Sequence, residues 1–257
     1  LAALEAGVIT PETTFRCPGH LEAGGRKFHC WKRNGHGSVN LERSLMESCD
    51  VFYYETALKV GIDKIAEMGR KLGLGYRHDL PMSAITEGNM PDKAWKLERH
   101  KAEWVIGDTI NASIGQGYVL TSPLQLAVMT ARIASATDIK PRLVRAIDGR
   151  EVAAEPANPL GFATSNLTAV QGGMVAVMNA KQGTARSSRI VAEGVRMAGK
   201  TGTAQIAEPF GYHPTDTIAS FVGWLPADDP KLVVFVKLDR PQSAPWGSMT
   251  AAPVFSK

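Results

Sequence analysis

Lys200-Thr201-Gly202-Thr203-Ala204 decides the fold, because the residues around it make it the first strand of a meander. Arg196-Met197-Ala198-Gly199 leads in, and two β-rich runs, 217–225 and 231–238, follow on either side of Ala227-Asp228-Asp229-Pro230, a strong turn signal. This pattern predicts three consecutive antiparallel strands. The first presents one fixed cation, Lys200, and two hydroxyls, Thr201 and Thr203, at an exposed edge. Gly202 reads as the residue that lets a substrate backbone approach the strand closely.

Upstream the periodicity turns helical. Residues 41–47 and 51–60 read as two short helices with Ser48-Cys49-Asp50 at their junction, and Ile62, Ile65, Ala66 and Leu72 mark a third that ends at Gly73. Residues 74–112 read as irregular. Ser122-Pro123 opens a helix whose apolar stripe runs through Leu124, Ala127, Val128, Ala131 and Ala134. A small hairpin is expected around Asp148-Gly149, and a further helix over 167–179 despite Gly172-Gly173. With residues 1–40 rich in Gly, Pro, His and Cys, the expected division is a loop-rich segment over 1–40, a mainly helical lobe over 41–180 and sheet strands over 181–257. The fold class is α+β: helices first, a strand meander last, hence an antiparallel sheet flanked by helices with an all-helical lobe.

Composition bounds the function. A chain of 257 residues, 44% hydrophobic and 21% charged, is a foldable globular domain, and none of its apolar runs reaches the roughly 18 residues of a membrane span. The net charge of +4 is scattered, except where Lys93, Lys96, Arg99 and Lys101 interleave with Trp95 and Trp104. That cluster reads as a solvated basic face, so no nucleic-acid partner is expected.

All three cysteines, Cys17, Cys30 and Cys49, fall in the first fifth of the chain. With His36 they form a three-sulfur, one-nitrogen set suited to a closed structural zinc site, with His20 and His29 as rival ligands. The spacing differs from the paired cysteines of zinc fingers, so a disulfide with one free thiol stays open.

The combination of Ser48-Cys49-Asp50 with Lys200-Thr201-Gly202 resembles the penicillin-binding and serine β-lactamase superfamily, whose motif set is S-x-x-K, S-x-N/D and K-T-G. Asn89-Met90-Pro91, Gly115-Gln116-Gly117-Tyr118, Thr121-Ser122-Pro123-Leu124-Gln125, Gly183-Thr184-Ala185 and Ala251-Ala252-Pro253-Val254-Phe255 look like class B penicillin-binding proteins. Trp31-Lys32-Arg33-Asn34-Gly35-His36-Gly37 looks most like the elongation-type members, penicillin-binding protein 2, whereas Asp239-Arg240-Pro241 and Pro245-Trp246-Gly247-Ser248 look more like other class B members.

This resemblance implies a peptidoglycan D,D-transpeptidase with Ser48, Asp50, Lys200 and Thr203 in catalytic roles. Lys200, Thr201, Gly202 and Thr203 would bind a D-alanyl carboxylate, and the Thr203 N–H would serve the oxyanion hole. Ser48 would relay a proton across the cleft, a role compatible with capping the helix that follows. The resemblance also favours zinc, since some relatives hold it in this loop, and it matches His36 and Cys49 most directly. Implied partners are stem peptides, β-lactams, a membrane-embedded SEDS-type glycan polymerase and elongation-complex proteins. The implied location is the periplasmic face of the bacterial inner membrane. Two other classes remain: a serine β-lactamase or β-lactam sensor, and a non-catalytic zinc-stabilised scaffold.

One family feature is missing. No serine here is followed three residues later by lysine: Ser48 is followed by Val51, Ser113 by Gln116 and Ser122 by Gln125. The expectation is therefore a truncated transpeptidase domain that begins inside the helix its S-x-x-K opens, is clipped near Phe255 and forms no acyl-enzyme as it stands.

Overall fold

The computed structural model of the chain describes residues 1–208 and 211–256, apart from the side chains of 207–215. A short helix α1 (Ala2–Glu5) is followed by four short strands, β1 (Phe15–Cys17), β2 (His20–Ala23), β3 (Arg26–His29) and β4 (Gly37–Val39). Helices α2 (Leu41–Met46), α3 (Asp50–Val60), α4 (Ile62–Lys71), α5 (Lys93–His100), α6 (Ile106–Ser113) and α7 (Pro123–Ser135) come next. The small hairpin β5 (Ala146–Ile147) and β6 (Arg150–Glu151) precedes α8 (Thr164–Asn179) and a single 3-10 turn. The meander β7 (Ala198–Glu208), β8 (Gly211–Leu225) and β9 (Leu232–Asp239) and a final helix α9 (Ala252–Phe255) complete the chain.

The meander is antiparallel in the order β7-β8-β9, with Lys200 opposite Val222, Gly202 opposite Ser220 and Thr203 opposite Ala219. Among the described residues β7 and β9 are the edge strands. Their neighbour β8 is buried on both faces, because successive side chains point to opposite sides of a sheet. Phe221 packs on Phe255 of α9 at 4.8 Å between ring centroids, within a cluster that includes Val177, Met178 and Met197. Trp224 points the other way, into the larger core with Phe52, Val170 and Met174.

The first 40 residues are more ordered than their composition suggests, for β1 pairs with β4 and β2 with β3 in two small antiparallel ribbons. Residues 74–112 hold two helices that the hydrophobic pattern misses. Capping explains both: Asp92 Oδ1 accepts the Trp95 N–H at 2.8 Å at the start of α5, and Asp108 Oδ2 accepts the Val105 N–H at 2.9 Å at the start of α6. The basic face expected over 93–101 is only partly solvated. Lys96 is buried and pairs with Asp108 at 2.6 Å, so a charged residue occupies an inward position of α5 and hides its period.

Ser122 caps α7 as expected, its Oγ accepting the Gln125 N–H while Gln125 Oε1 accepts the Ser122 N–H. Gly173 in mid-α8 has a packing reason, since a Cβ there would run into the Leu45 side chain. The glycine lets α2 lie close against α8. That approach places the end of α2, and Ser48 just beyond it, beside the sheet.

Candidate active site and metal cluster

Ser48 and Lys200 meet. The Lys200 Nζ donates to Ser48 Oγ at 2.8 Å across 152 residues of sequence, and to the Thr201 carbonyl at 2.9 Å. Burial lowers the Lys200 pKa to about 8, with the Asp50 carboxylate acting in the opposite direction. Because Ser48 Oγ accepts from the ammonium, its own proton is directed away from the lysine and is free for another acceptor.

Ser48 does not cap the following helix. The N-cap of α3 is Cys49, which makes no side-chain cap bond, and Ser48 sits just before it with φ +54°. That left-handed backbone is unusual for a residue with a Cβ and requires support from its surroundings. It also turns the three side chains of Ser48-Cys49-Asp50 apart: Ser48 to Lys200, Cys49 into the interior, and Asp50 to the backbone N–H of Trp31, which donates to Oδ2 at 2.8 Å. Burial, with the nearby Cys30, raises the Asp50 pKa to about 6.

On β7 the side chains alternate. Lys200 and Gly202 share one face and Thr201 and Thr203 the other. Thr203 is exposed and its Oγ1 accepts the Gly247 N–H at 3.1 Å, which leaves its hydroxyl proton available to a ligand. Thr201 Oγ1 lies 3.1 Å from Thr184 Oγ1, and the Thr184 N–H donates to the Met46 carbonyl, so β7 is tied to the end of α2 through Gly183-Thr184-Ala185. Gly202 also has a packing reason. A Cβ there would meet the Ser220 Oγ at 2.5 Å on the neighbouring strand.

Cys17, Cys30, His36 and Cys49 converge. All four are buried, and their ligand atoms lie within 4.8 Å of one another, with His36 Nδ1 3.6 Å from Cys17 Sγ and 3.5 Å from Cys30 Sγ. The three thiols are free, so no disulfide forms between them. The rivals His20 and His29 pair across the β2-β3 ribbon instead, their rings 6.0 Å apart. A tetrahedral zinc with bonds of about 2.0–2.3 Å requires donors roughly 3.5–3.8 Å apart, so the spacing and the donor set suit that ion. Each residue comes from a different local feature: Cys17 ends β1, Cys30 follows β3, His36 precedes β4 and Cys49 caps α3. A hydrogen bond from Cys49 holds the Cys30 pKa well below the usual thiol range, and the same contact drives that of Cys49 up.

Sequence reasoning singled out every member of these two groups but missed what joins them. Trp31 directly follows Cys30, and its indole Nε1 donates to the carbonyls of Ser48 at 2.9 Å and Glu47 at 3.1 Å. Two signals were available: the adjacency of Trp31 to a candidate ligand and its place at the head of the family-like stretch 31–37.

The family model described as the penicillin binding protein transpeptidase domain matches residues 1–257. A peptidoglycan D,D-transpeptidase MrdA from Haemophilus influenzae is 36% identical over 276 residues, covering 100% of this chain and 42% of the relative. Penicillin-binding protein 2 of Pseudomonas aeruginosa, solved with WCK 5153, superposes with a TM-score of 0.87 at 34% identity, over 99% of this chain and 56% of that one. The corresponding Helicobacter pylori protein, solved with MreC, gives 0.86 at 32% identity, over 99% and 46%. The chain thus spans about two fifths of the length of the curated relative.

Proposed function

Because the chain belongs to the penicillin binding protein transpeptidase domain family, we propose that it provides the substrate-recognition and proton-relay part of an elongation-type peptidoglycan D,D-transpeptidase. The observation that carries this reading is the 2.8 Å contact between Lys200 Nζ and Ser48 Oγ. The open edge of β7 suits an extended stem peptide, which adds to a strand edge through main-chain hydrogen bonds. Lys200 supplies a positive field for the terminal D-alanyl carboxylate and the Thr203 hydroxyl donates to it. Ser48 passes a proton to the leaving amine of D-alanine once a serine has attacked the penultimate carbonyl. Asp50, already held by the Trp31 N–H, fixes the first turn of α3 beside Lys200.

Cys17, Cys30, His36 and Cys49 would hold a structural zinc ion. The His36 Nδ1 faces the Cys17 and Cys30 sulfurs at 3.6 and 3.5 Å, the side of the ring from which it would bind the ion. The ion would supply rigidity to the Ser48 wall and no part of the acyl transfer.

The setting proposed is the periplasmic face of the bacterial inner membrane, beside a SEDS-type glycan polymerase and elongation-complex proteins. The complex of the Helicobacter pylori relative with MreC supports partners of that kind. No described helix is long and apolar enough to cross a membrane.

The test is labelling by a fluorescent penicillin on a denaturing gel. Residues 1–257, which contain no S-x-x-K, should give no labelled band. A chain extended upstream by a family S-x-x-K segment should label, and its Ser48→Ala variant should label at least tenfold more slowly, the low end of what general acid-base groups contribute. Equal labelling of the Ser48→Ala variant would remove the assignment.

A further inference from the structure

The geometry assigns Trp31 as the positioning residue that holds Ser48 in its functional conformation. This assignment rests on the role given to Ser48 above. Trp31 makes three hydrogen bonds to one short stretch: its backbone N–H to Asp50 Oδ2 at 2.8 Å, and its indole Nε1–H to the Ser48 carbonyl at 2.9 Å and the Glu47 carbonyl at 3.1 Å. They bracket Cys49 from both sides.

Ser48 needs such a support. Its φ of +54° costs a non-glycine residue free energy that the surroundings must offset. The carbonyls of Glu47 and Ser48 lie at the frayed end of α2, where helix carbonyls lack intrahelical partners. The indole N–H satisfies both and fixes the rotation of the peptide unit that follows Ser48. With that unit fixed, Ser48 Oγ stays on Lys200 while the Cys49 side chain stays in the cluster.

Trp31 is itself oriented by the cluster. It follows Cys30 directly, and its ring meets the His36 ring edge to face at 5.5 Å. Arg43 closes the same unit from the other side, donating to the carbonyls of His36 and Ser38 while pairing with Glu47 at 2.8 Å. Trp31 is 53% exposed, far more than a tryptophan kept for core packing would be. Its indole N–H is the part the fold uses.

The test compares Trp31→Phe with wild type in the full-length zinc-loaded protein. The substitution keeps an aromatic ring beside His36 and removes the indole donor. The acylation rate constant for a fluorescent penicillin should fall about tenfold or more, the scale on which outer partners tune a site, with the non-covalent dissociation constant, bound zinc and melting temperature little changed. The second readout needs no nucleophile: in residues 1–257, lysine 13Cε NMR should show Lys200 titrating further below the ordinary lysine value in Trp31→Phe, as Ser48 swings off its Nζ and the buried ammonium loses an acceptor.

An unchanged Lys200 titration together with an unchanged acylation constant would overturn the assignment. A loss of zinc and melting temperature in proportion to the loss of rate would also overturn it, by making Trp31 merely structural. Should Ser48→Ala acylate as fast as wild type, the role of Ser48 fails, while the Lys200 titration still decides whether Trp31 holds Ser48.

Discussion

The two walls of the candidate site are built by different physics. The β7 wall is fixed by ordinary means: regular pairing to β8, and aromatic side chains of β8 buried on both faces of the sheet. The Ser48 wall is one left-handed residue between two short helices, held by buried polar groups that cannot persist without partners. A wall of the first kind fails gradually as packing is lost. A wall of the second kind depends on a few specific groups and should fail when any one of them is removed.

The sharpest way to separate the two is to chelate the metal that the Cys17-Cys30-His36-Cys49 cluster is proposed to hold. Chelation should lower the melting temperature by about 10–20 °C, the equivalent of ~5 kcal/mol in a domain of this size, and Cys49→Ala should do the same without chelator. The far-UV signature of the β7-β8-β9 meander should survive both treatments near physiological temperature. Differential scanning calorimetry with circular dichroism checks this, and simultaneous loss of sheet and metal site would erase the distinction.

Phe221→Ala attacks the other wall. The side chain is fully buried against Phe255, so its truncation should cost about 3–5 kcal/mol in urea unfolding. Zinc content should stay at one ion per chain.

Gly173→Ala tests the link between them. The new methyl meets Leu45 at its Cβ as well as its tip, so strain of about 1–3 kcal/mol outweighs the roughly 1 kcal/mol gained in helix propensity. The net loss should be about 1 kcal/mol, and it should lengthen the Lys200–Ser48 contact in a crystal structure of the variant.

The last test is a pH dependence at Lys200. Its folded pKa of about 8 lies below the ordinary 10.5, so between these values the unfolded chain binds more protons than the folded one. Stability relative to Lys200→Met should therefore be flat well below pH 8 and rise by ~2 kcal/mol as pH climbs toward 10. Urea unfolding of both proteins at pH 7.5 and 9.5 reads the sign directly.

Much of this was legible in the sequence, for reasons that differ by element. The meander announces itself through β-rich runs and a turn, and α7 through a serine cap and Pro123. Helices α5 and α6 were hidden because the signal that starts them is a capping aspartate and because Lys96 sits where an apolar residue would reveal the period. The four residues were visible as types in one segment, but spacing alone could not bring them together. Only the convergence of β1, β3, β4 and α3 shows one buried cluster with its three thiols free.

The positive φ of Ser48 has no sequence signature, since glycine is what usually marks such a position. Gly202 shows the converse: the glycine was noticed, but its contact with Ser220 was not legible, because that partner lies 18 residues away on the paired strand.

The claim that joins these observations is that the catalytic serine of Ser48-Cys49-Asp50 is braced by a metal held through its own middle residue. Metal analysis of the protein purified without chelator tests it most directly. One zinc per chain is expected, lost in Cys49→Ala. Protein that is folded, reduced and free of zinc would contradict it.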